Sequence, residues 1–267
     1  MPPTPPSGPP EFRVLGVKVH ALQTRDAVRI VLSWLDERPA RYRYVSSTNL
    51  HNIARAGESP AYREVMEACD LSLPDGVPLL WYGRRHGHVL RERCGIEELM
   101  VALFDLSEQG RDLRHFFYGN TPEVQADLEK ALRHRWPKLT VAGMRSPPFR
   151  RLTPEEDRAD IEAIRAARPD FLWVSLGCPR QETWLYEHRE LLGPMIGGGA
   201  GAVFDFLAGR KLKAPRFVQN AGMEWMLRLA TEPKRLWRRY LVLYPRYLMR
   251  LVHEELMGPA RNPKERN

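Results

Sequence analysis

The chain has 267 residues, 43% of them hydrophobic, with 41 Lys and Arg against 33 Asp and Glu for a formal net charge of +8. That apolar content excludes a chain that is disordered as a whole, and no stretch approaches the ~18 uninterrupted apolar residues of a membrane-spanning helix. Cys69, Cys94 and Cys178 form no C-x-x-C pair, which points to a reducing compartment and away from a disulfide framework or a cysteine zinc site.

Residues 1–11 carry five prolines among the first nine positions. With no basic stretch followed by an apolar run, they read as a flexible tail and not as a secretory signal. From Glu11 to His20, Phe12, Val14, Val17 and Val19 alternate around Gly16, the pattern of a small antiparallel hairpin. Thr24 is the expected cap of a helix running through Val28, Val31, Leu32 and Leu35. Tyr42–Ser47 reads as a short strand entering the polar turn Thr48-Asn49. Ser59-Pro60, Thr121-Pro122 and Thr153-Pro154 repeat one start signal, a hydroxyl cap followed by proline at the first helical position. The helices they predict cover residues 61–69, 123–136 and 155–168.

Each of these helices stands beside a short apolar run, at 71–73, 115–119, 139–143, 171–177 and 194–198. Alternating strands and helices predict an α/β fold: a Rossmann-like, mostly parallel sheet with helices on both faces. Ligands in such sheets bind beyond the carboxyl ends of the strands. The turns at 47–49, 74–76, 119–121, 177–182 and 197–205 are therefore the ones to watch. After Lys213 the alternation stops, and two amphipathic helical segments follow, one over 216–230 and one from Pro233, with Pro245 expected to break or kink the second. The organisation expected is a tail (1–11), a catalytic core (12–213), a helical appendage (214–258) and a short second tail (259–267).

Charge follows the same division. Between Gly209 and Arg250, eleven basic residues face only Glu224 and Glu232, so the rest of the chain is close to neutral. A basic end on a neutral body calls for a polyanionic partner: nucleic acid, anionic lipid or a diphosphate substrate. Phe217, Trp225, Trp237, Tyr240, Tyr244 and Tyr247 are interleaved with the charges, which a merely solubilising face does not need.

Several motifs bear on chemistry. Gly197–Ala202 contains a formal G-x-G-x-x-A, but it lies late in the chain, and position 222, where a ribose-binding acid would stand, is glycine; it is a weak dinucleotide fingerprint. No P-loop, H-E-x-x-H or G-x-S-x-G motif occurs. Asp75, in Leu73-Pro74-Asp75-Gly76, is either a turn or cap residue or a general base held at a strand tip. Asn49 is a turn former or a sugar-binding amide, and His51 reads as a satisfied surface residue. Arg180, Gln181 and Glu182 gather long polar side chains where a ligand would sit, although Glu182 could also serve a helix N-terminus.

Taken in order, SSTNLHNIARAGESP, ACDLSLPDG, FFYGNTPEV, DFLWVSLGCPRQETW, GGGAGAVFDFLAGRKLKAPRF and GMEWMLRLATEPKRLWRRYL resemble the WecG/TagA/CpsF family of bacterial glycosyltransferases from about Phe12 to Leu248. The resemblance implies a Rossmann-like core with a C-terminal helical appendage and an inverting transfer. The sugar, N-acetylmannosamine, its uronate or glucose, would pass from a UDP-sugar to an undecaprenyl-diphosphate-linked sugar during assembly of a cell-surface polysaccharide. It implies a cytoplasmic enzyme peripheral on the anionic inner face of the plasma membrane, without a nucleic-acid partner, and leaves homo-oligomerisation open. Asp75 resembles the family's base, and Ser47, Thr48, Asn49 and Gln181 resemble contacts to the donor sugar and to the base. Gly119, Glu182, Gly199 and Asp205 join them as substrate-binding candidates. With no D-x-D metal motif, neither metal nor cofactor is expected, and Arg228, Arg235 and Arg238, with Arg239, are assigned to the diphosphate. Trp237, Tyr240, Tyr244 and Tyr247 are expected at the membrane interface. Rival readings are a nucleic-acid-binding module, favoured by the basic end, and a nicotinamide oxidoreductase, disfavoured by the misplaced glycine run.

Overall fold

The computed structural model describes residues 8–37, 41–215, 218 and 222–257. Most of the two expected tails, together with Arg216 and Phe217, lies outside the described residues. The hairpin forms as its alternation requires, with β1 (Glu11–Val14) antiparallel to β2 (Val17–His20). Six further strands build one wholly parallel sheet: β3 (Arg43–Thr48), β4 (Leu71–Pro74), β5 (Arg114–Gly119), β6 (Thr140–Arg145), β7 (Phe171–Ser175) and β8 (Ile196–Gly199). Their spatial order is β4-β3-β8-β7-β5-β6. The hairpin covers the β4 edge: the Ser72 N–H donates to His20 Nδ1 at 2.9 Å and the Ser72 hydroxyl to the Lys18 carbonyl at 2.7 Å. This satisfies an edge that would otherwise present open backbone groups.

Strand β7 shows why the apolar runs are continuous. Phe171 and Trp173 enter one core cluster with Phe104 and Phe117, while Leu172 and Val174 enter another with Tyr118 and Leu185. Both faces of a parallel sheet are covered, so both must be apolar. The three hydroxyl-proline signals act as expected: Ser59, Thr121 and Thr153 accept from the N–H groups of Tyr62, Val124 and Glu156. They open α3 (Pro60–Glu67), α4 (Pro122–Arg135) and α5 (Pro154–Ala167). Helix α1 (Thr24–Asp36) differs from expectation in its cap, which is Gln23, whose N–H donates to Asp26 Oδ2 at 3.2 Å.

The C-terminal segment runs through helices Glu224–Thr231 and Pro233–Trp237, a π-helical turn Arg238–Leu243, and helix Tyr244–Met257. Pro245 does not break it. A proline clashes with the carbonyl four residues earlier, here Leu241, and the wider π turn ending at Leu243 takes up that misfit while the chain stays helical. The segment is anchored in the core: Leu251 is fully buried with Phe12 and Ile53, and Tyr247 packs on Leu50 and Ala54 of α2 (Leu50–Glu58). Tyr240 is buried too, and Tyr244 is partly buried under Arg239, which donates to its hydroxyl at 2.9 Å. These three tyrosines are therefore not the membrane-facing belt expected from sequence. The exposed apolar side chains of the segment are instead Trp225, Met226, Trp237, Leu241, Val242, Leu248 and Met249, among others. Among the described residues no helix is long and apolar enough to cross a membrane.

Candidate functional site

Four adjacent strands, β4, β3, β8 and β7, end on one side of the sheet, and the C-terminal segment folds over those ends. Between them lies a cleft of about 630 Å³ lined by Ser47, Asn49, Asp75, Gln181, Glu182 and Gly199 from the core and by Arg228, Arg235, Arg238 and Arg239 from the segment. Ten of the thirteen residues selected from sequence thus share one cavity.

Asp75 extends the parallel ladder past β4, its N–H bonding the Thr48 carbonyl at 2.9 Å. The helix cap is not Asp75 but Gly76, whose φ of 124° suits glycine alone at little cost. That turn leaves the carboxylate free of the backbone. Asp75 Oδ2 accepts the Ser47 hydroxyl at 2.9 Å, and Oδ1 lies 4.0 Å from Arg93 Nη1.

Arg93 belongs to the site as well. It donates to Glu98 at 2.8 Å and to Glu224 of the appendage at 3.0 Å, and Glu224 in turn holds Arg228 at 2.5 Å. A chain of charges therefore runs from the carboxylate at the strand tip to an arginine of the appendage, whose guanidinium stands over the Phe206 ring at 5.1 Å. In sequence Arg93 sits in Arg91-Glu92-Arg93, indistinguishable from a solvated charge run; only the fold brings it to Asp75.

On the opposite wall, Gln181 lies across the end of β8. A Cβ at Gly199 would come within 2.7 Å of its amide nitrogen, so the glycine run serves close approach of a side chain. Gln181 donates to Glu182 Oε1 at 2.8 Å, leaving Gln181 Oε1 and Glu182 Oε2 buried without partners among the described residues. Burial pushes the Glu182 carboxyl above the usual carboxylate range, favouring its neutral form. The same burial pushes the Cys178 thiol up to about 12, which makes it a poor nucleophile.

Asn49 caps α2, its side-chain oxygen accepting the His51 and Asn52 N–H groups at 2.9 and 3.3 Å. His51 is not at the surface. It is buried in the cleft wall with Nδ1 unpartnered among the described residues, and burial, aided by the positive charges of Arg239 and Arg55, pulls its pKa down to about 3.

Three selected residues stand outside the cleft. Thr48 is fully buried, its hydroxyl bonded to Ser72 at 2.5 Å, because it points to the face opposite Ser47. Gly119 ends β5, one strand too far along the sheet, where a Cβ would meet the Ser175 carbonyl at 2.5 Å. Asp205 accepts from Asn120 at 3.1 Å beside that same strand end.

The cleft joins a carboxylate at a strand tip, unpartnered amide and carboxyl oxygens, and a bank of guanidinium groups, which is the equipment for a hydroxylated, phosphorylated substrate. Similarity agrees with it. Over 200 residues, 75% of each chain, the protein is 31% identical to the N-acetylglucosaminyldiphosphoundecaprenol N-acetyl-beta-D-mannosaminyltransferase of Bacillus spizizenii. The family described as glycosyl transferase WecG/TagA/CpsF matches it over residues 12–261. The chain therefore belongs to the WecG/TagA/CpsF family, and it is a glycosyltransferase.

Proposed function

We propose that the protein transfers a sugar with inversion from a UDP-sugar to an undecaprenyl-diphosphate-linked sugar, with N-acetylmannosamine the first donor to test, as the name of the Bacillus relative suggests. Asp75 takes the proton from the acceptor hydroxyl as its oxygen attacks C1 of the donor sugar from the side opposite UDP. The new C–O bond forms, the bond from C1 to the diphosphate oxygen breaks, and its electron pair leaves with UDP. Ser47 orients the base, and Gln181 and Glu182 offer their free oxygens to sugar hydroxyl or amide groups. Arg228, Arg235 and Arg238 stabilise the charge that develops on UDP, where fixed cations act most strongly on the transition state. The exposed Trp237 and Met249 side chains, with the neighbouring arginines, hold the enzyme on an anionic leaflet where a lipid-linked acceptor resides.

The observation that carries this reading is the meeting of Asp75 with the appendage arginines across one cleft. The test is UDP release from a panel of UDP-sugars with a short-chain polyprenyl-diphosphate N-acetylglucosamine acceptor. Turnover that depends on both substrates supports it; no UDP release from any pair refutes it.

A further inference from the structure

The cleft holds more cations than one diphosphate requires, and they fall into two groups. Arg228 stands over Phe206 and is tied through Glu224 to Arg93 and the Asp75 side. Arg239 faces the other wall, where its charge acts with that of Arg55 on both His51 and Cys178. Among the described residues Arg239 has no carboxylate partner: its guanidinium donates only to the Tyr244 hydroxyl, at 2.9 and 3.1 Å, and rests between the Tyr240 and Tyr244 rings. A partly buried guanidinium without an anion, next to a buried histidine whose Nδ1 also lacks a partner, is an incomplete arrangement. Among the described residues Arg55 reaches a carboxylate only at Glu58, through an exposed 3.4 Å contact, and Arg246 also lines the cleft. Beside these charges the wall turns apolar at Val242 and Leu243, and Val242 is 56% exposed.

Building on the reading of the site as a lipid-linked transferase, we propose that Arg239, Arg55 and Arg246 with His51 form a second anion subsite. It binds the diphosphate of the polyprenyl-linked acceptor, separate from the arginines that take the donor's diphosphate. Two substrates each carry a diphosphate, and one shared bank of arginines would make them compete. Two banks, one on each wall, let both be bound at once with the acceptor sugar between them near Asp75. The exposed π-turn residues beside the second bank give the polyprenyl chain its way out towards the membrane. Phospholipid headgroups share the phosphate chemistry, and the experiment separates them from the acceptor.

Binding of farnesyl diphosphate, inorganic diphosphate and UDP to the full chain is measured by calorimetry for the wild type and for Arg239→Gln, Arg239→Lys and Arg55→Gln. Each lost charge-assisted hydrogen bond to the diphosphate should weaken farnesyl diphosphate binding about ten- to a hundredfold. Arg239→Lys should fall between, inorganic diphosphate should bind more weakly than its farnesyl ester, and UDP affinity should stay at the wild-type value in every variant. Unchanged thermal midpoints exclude misfolding as the cause. Equal losses for UDP and farnesyl diphosphate would merge the two banks and overturn the proposal, as would an Arg239→Gln protein that binds farnesyl diphosphate normally. A variant that loses only sedimentation with phosphatidylglycerol vesicles would reassign the bank to lipid headgroups. These arms read binding alone, so failure of the UDP-release assay in the wild type would sink the transferase reading without deciding this one.

Discussion

Gly57 offers a way to move the appendage without touching any residue of the cleft. It lies in α2 directly under the Tyr247 ring: a Cβ there would stand 2.7 Å from the Tyr247 hydroxyl oxygen and 2.9 Å from Cε1. Ordinary carbon contacts need about 3.5–4.0 Å, so the ring must retreat by close to ~1 Å. Tyr247 is only 2% exposed and cannot swing into solvent, so the displacement passes to helix Tyr244–Met257 and the π turn before it. Gly57→Ala gains about 0.5–1 kcal/mol from helix propensity and loses about 1–3 kcal/mol to overpacking, a net loss of roughly 0–2.5 kcal/mol. The protein should remain folded, with a thermal midpoint lowered by a few degrees at most. Turnover should fall much further, towards about a hundredfold, because misplacing a catalytic group by ~1 Å carries a cost of that order. Adding Tyr247→Phe removes the closest clash and should recover part of the loss. Steady-state UDP release beside a thermal melt decides the matter. Wild-type turnover in Gly57→Ala would mean that the seating of the appendage on α2 does not set the position of its arginines.

Asp75→Asn should cut turnover about 10²–10⁴-fold with UDP binding intact; a well-folded variant at near-normal rate would reduce Asp75 to a turn residue. Activity should persist in EDTA, since arginines carry the leaving-group charge, and loss restored by Mg²⁺ or Mn²⁺ would contradict that assignment. Trp237→Ser with Met249→Ser should weaken vesicle sedimentation by up to about 2 kcal/mol per residue yet spare turnover on a water-soluble acceptor; unchanged sedimentation would move the membrane face elsewhere. Burial holds both His51 and His115 at about 3, below the ordinary 6.5. Unfolding lets each take up a proton, so the stability they contribute is complete above pH 6.5 and is lost as pH falls towards 3. At pH 5 the loss is about 2 kcal/mol for each. Denaturation midpoints of His115→Gln should therefore fall less between pH 7 and pH 5 than those of the wild type, and parallel curves would remove His115 from the account.

What could be read in the sequence, and what could not, divides along physical lines. The three hydroxyl-proline starts and the β5, β7 and β8 runs were legible because local chemistry decides them: a cap oxygen meets its own N–H groups, and an apolar run of five residues has nowhere to go but the inside of a sheet. Asp75, Gln181 and Gly199 were legible because strand ends of a parallel sheet converge. Thr48 misled because alternation sends neighbours to opposite faces, and only the register of β3 against β4 says that Ser47 and not Thr48 faces the cleft. His51 looked exposed because no local pattern reports that the segment carrying Arg239, nearly two hundred positions later, would close the cleft that His51 lines. Tyr240, Tyr244 and Tyr247 shared one signal, an aromatic among arginines, with Trp237, and burial separates them; amphipathic periodicity alone cannot tell a face that packs on α2 from one left for a membrane.

The arginines of the cleft carry a cost while it is empty. Arg228 is neutralised by Glu224 and Arg235 by Glu232 at 2.5 Å, whereas Arg239 leans on tyrosine rings and lowers the proton affinity of its neighbours. Like charges gathered around a cavity repel, and the repulsion is relieved when a polyanion enters. The appendage can hold them there because Tyr247 and Leu251 fasten it to the core through contacts that ignore charge. Stability and function are thus supplied by different parts of one segment: helix Tyr244–Met257 anchors it, and the elements before that helix carry most of the arginines. The buried side chains set where the segment sits, and the cationic side chains are held ready for the substrates. Glu224 has a place in both: it pairs Arg228 with Arg93, and so can release either guanidinium to an incoming diphosphate while keeping the other compensated. Substitution by Gln would leave Arg93 with Glu98 and take from Arg228 its ion pair with Glu224, and the segment should loosen on that side first, at Glu224–Thr231, before the anchored helix gives way.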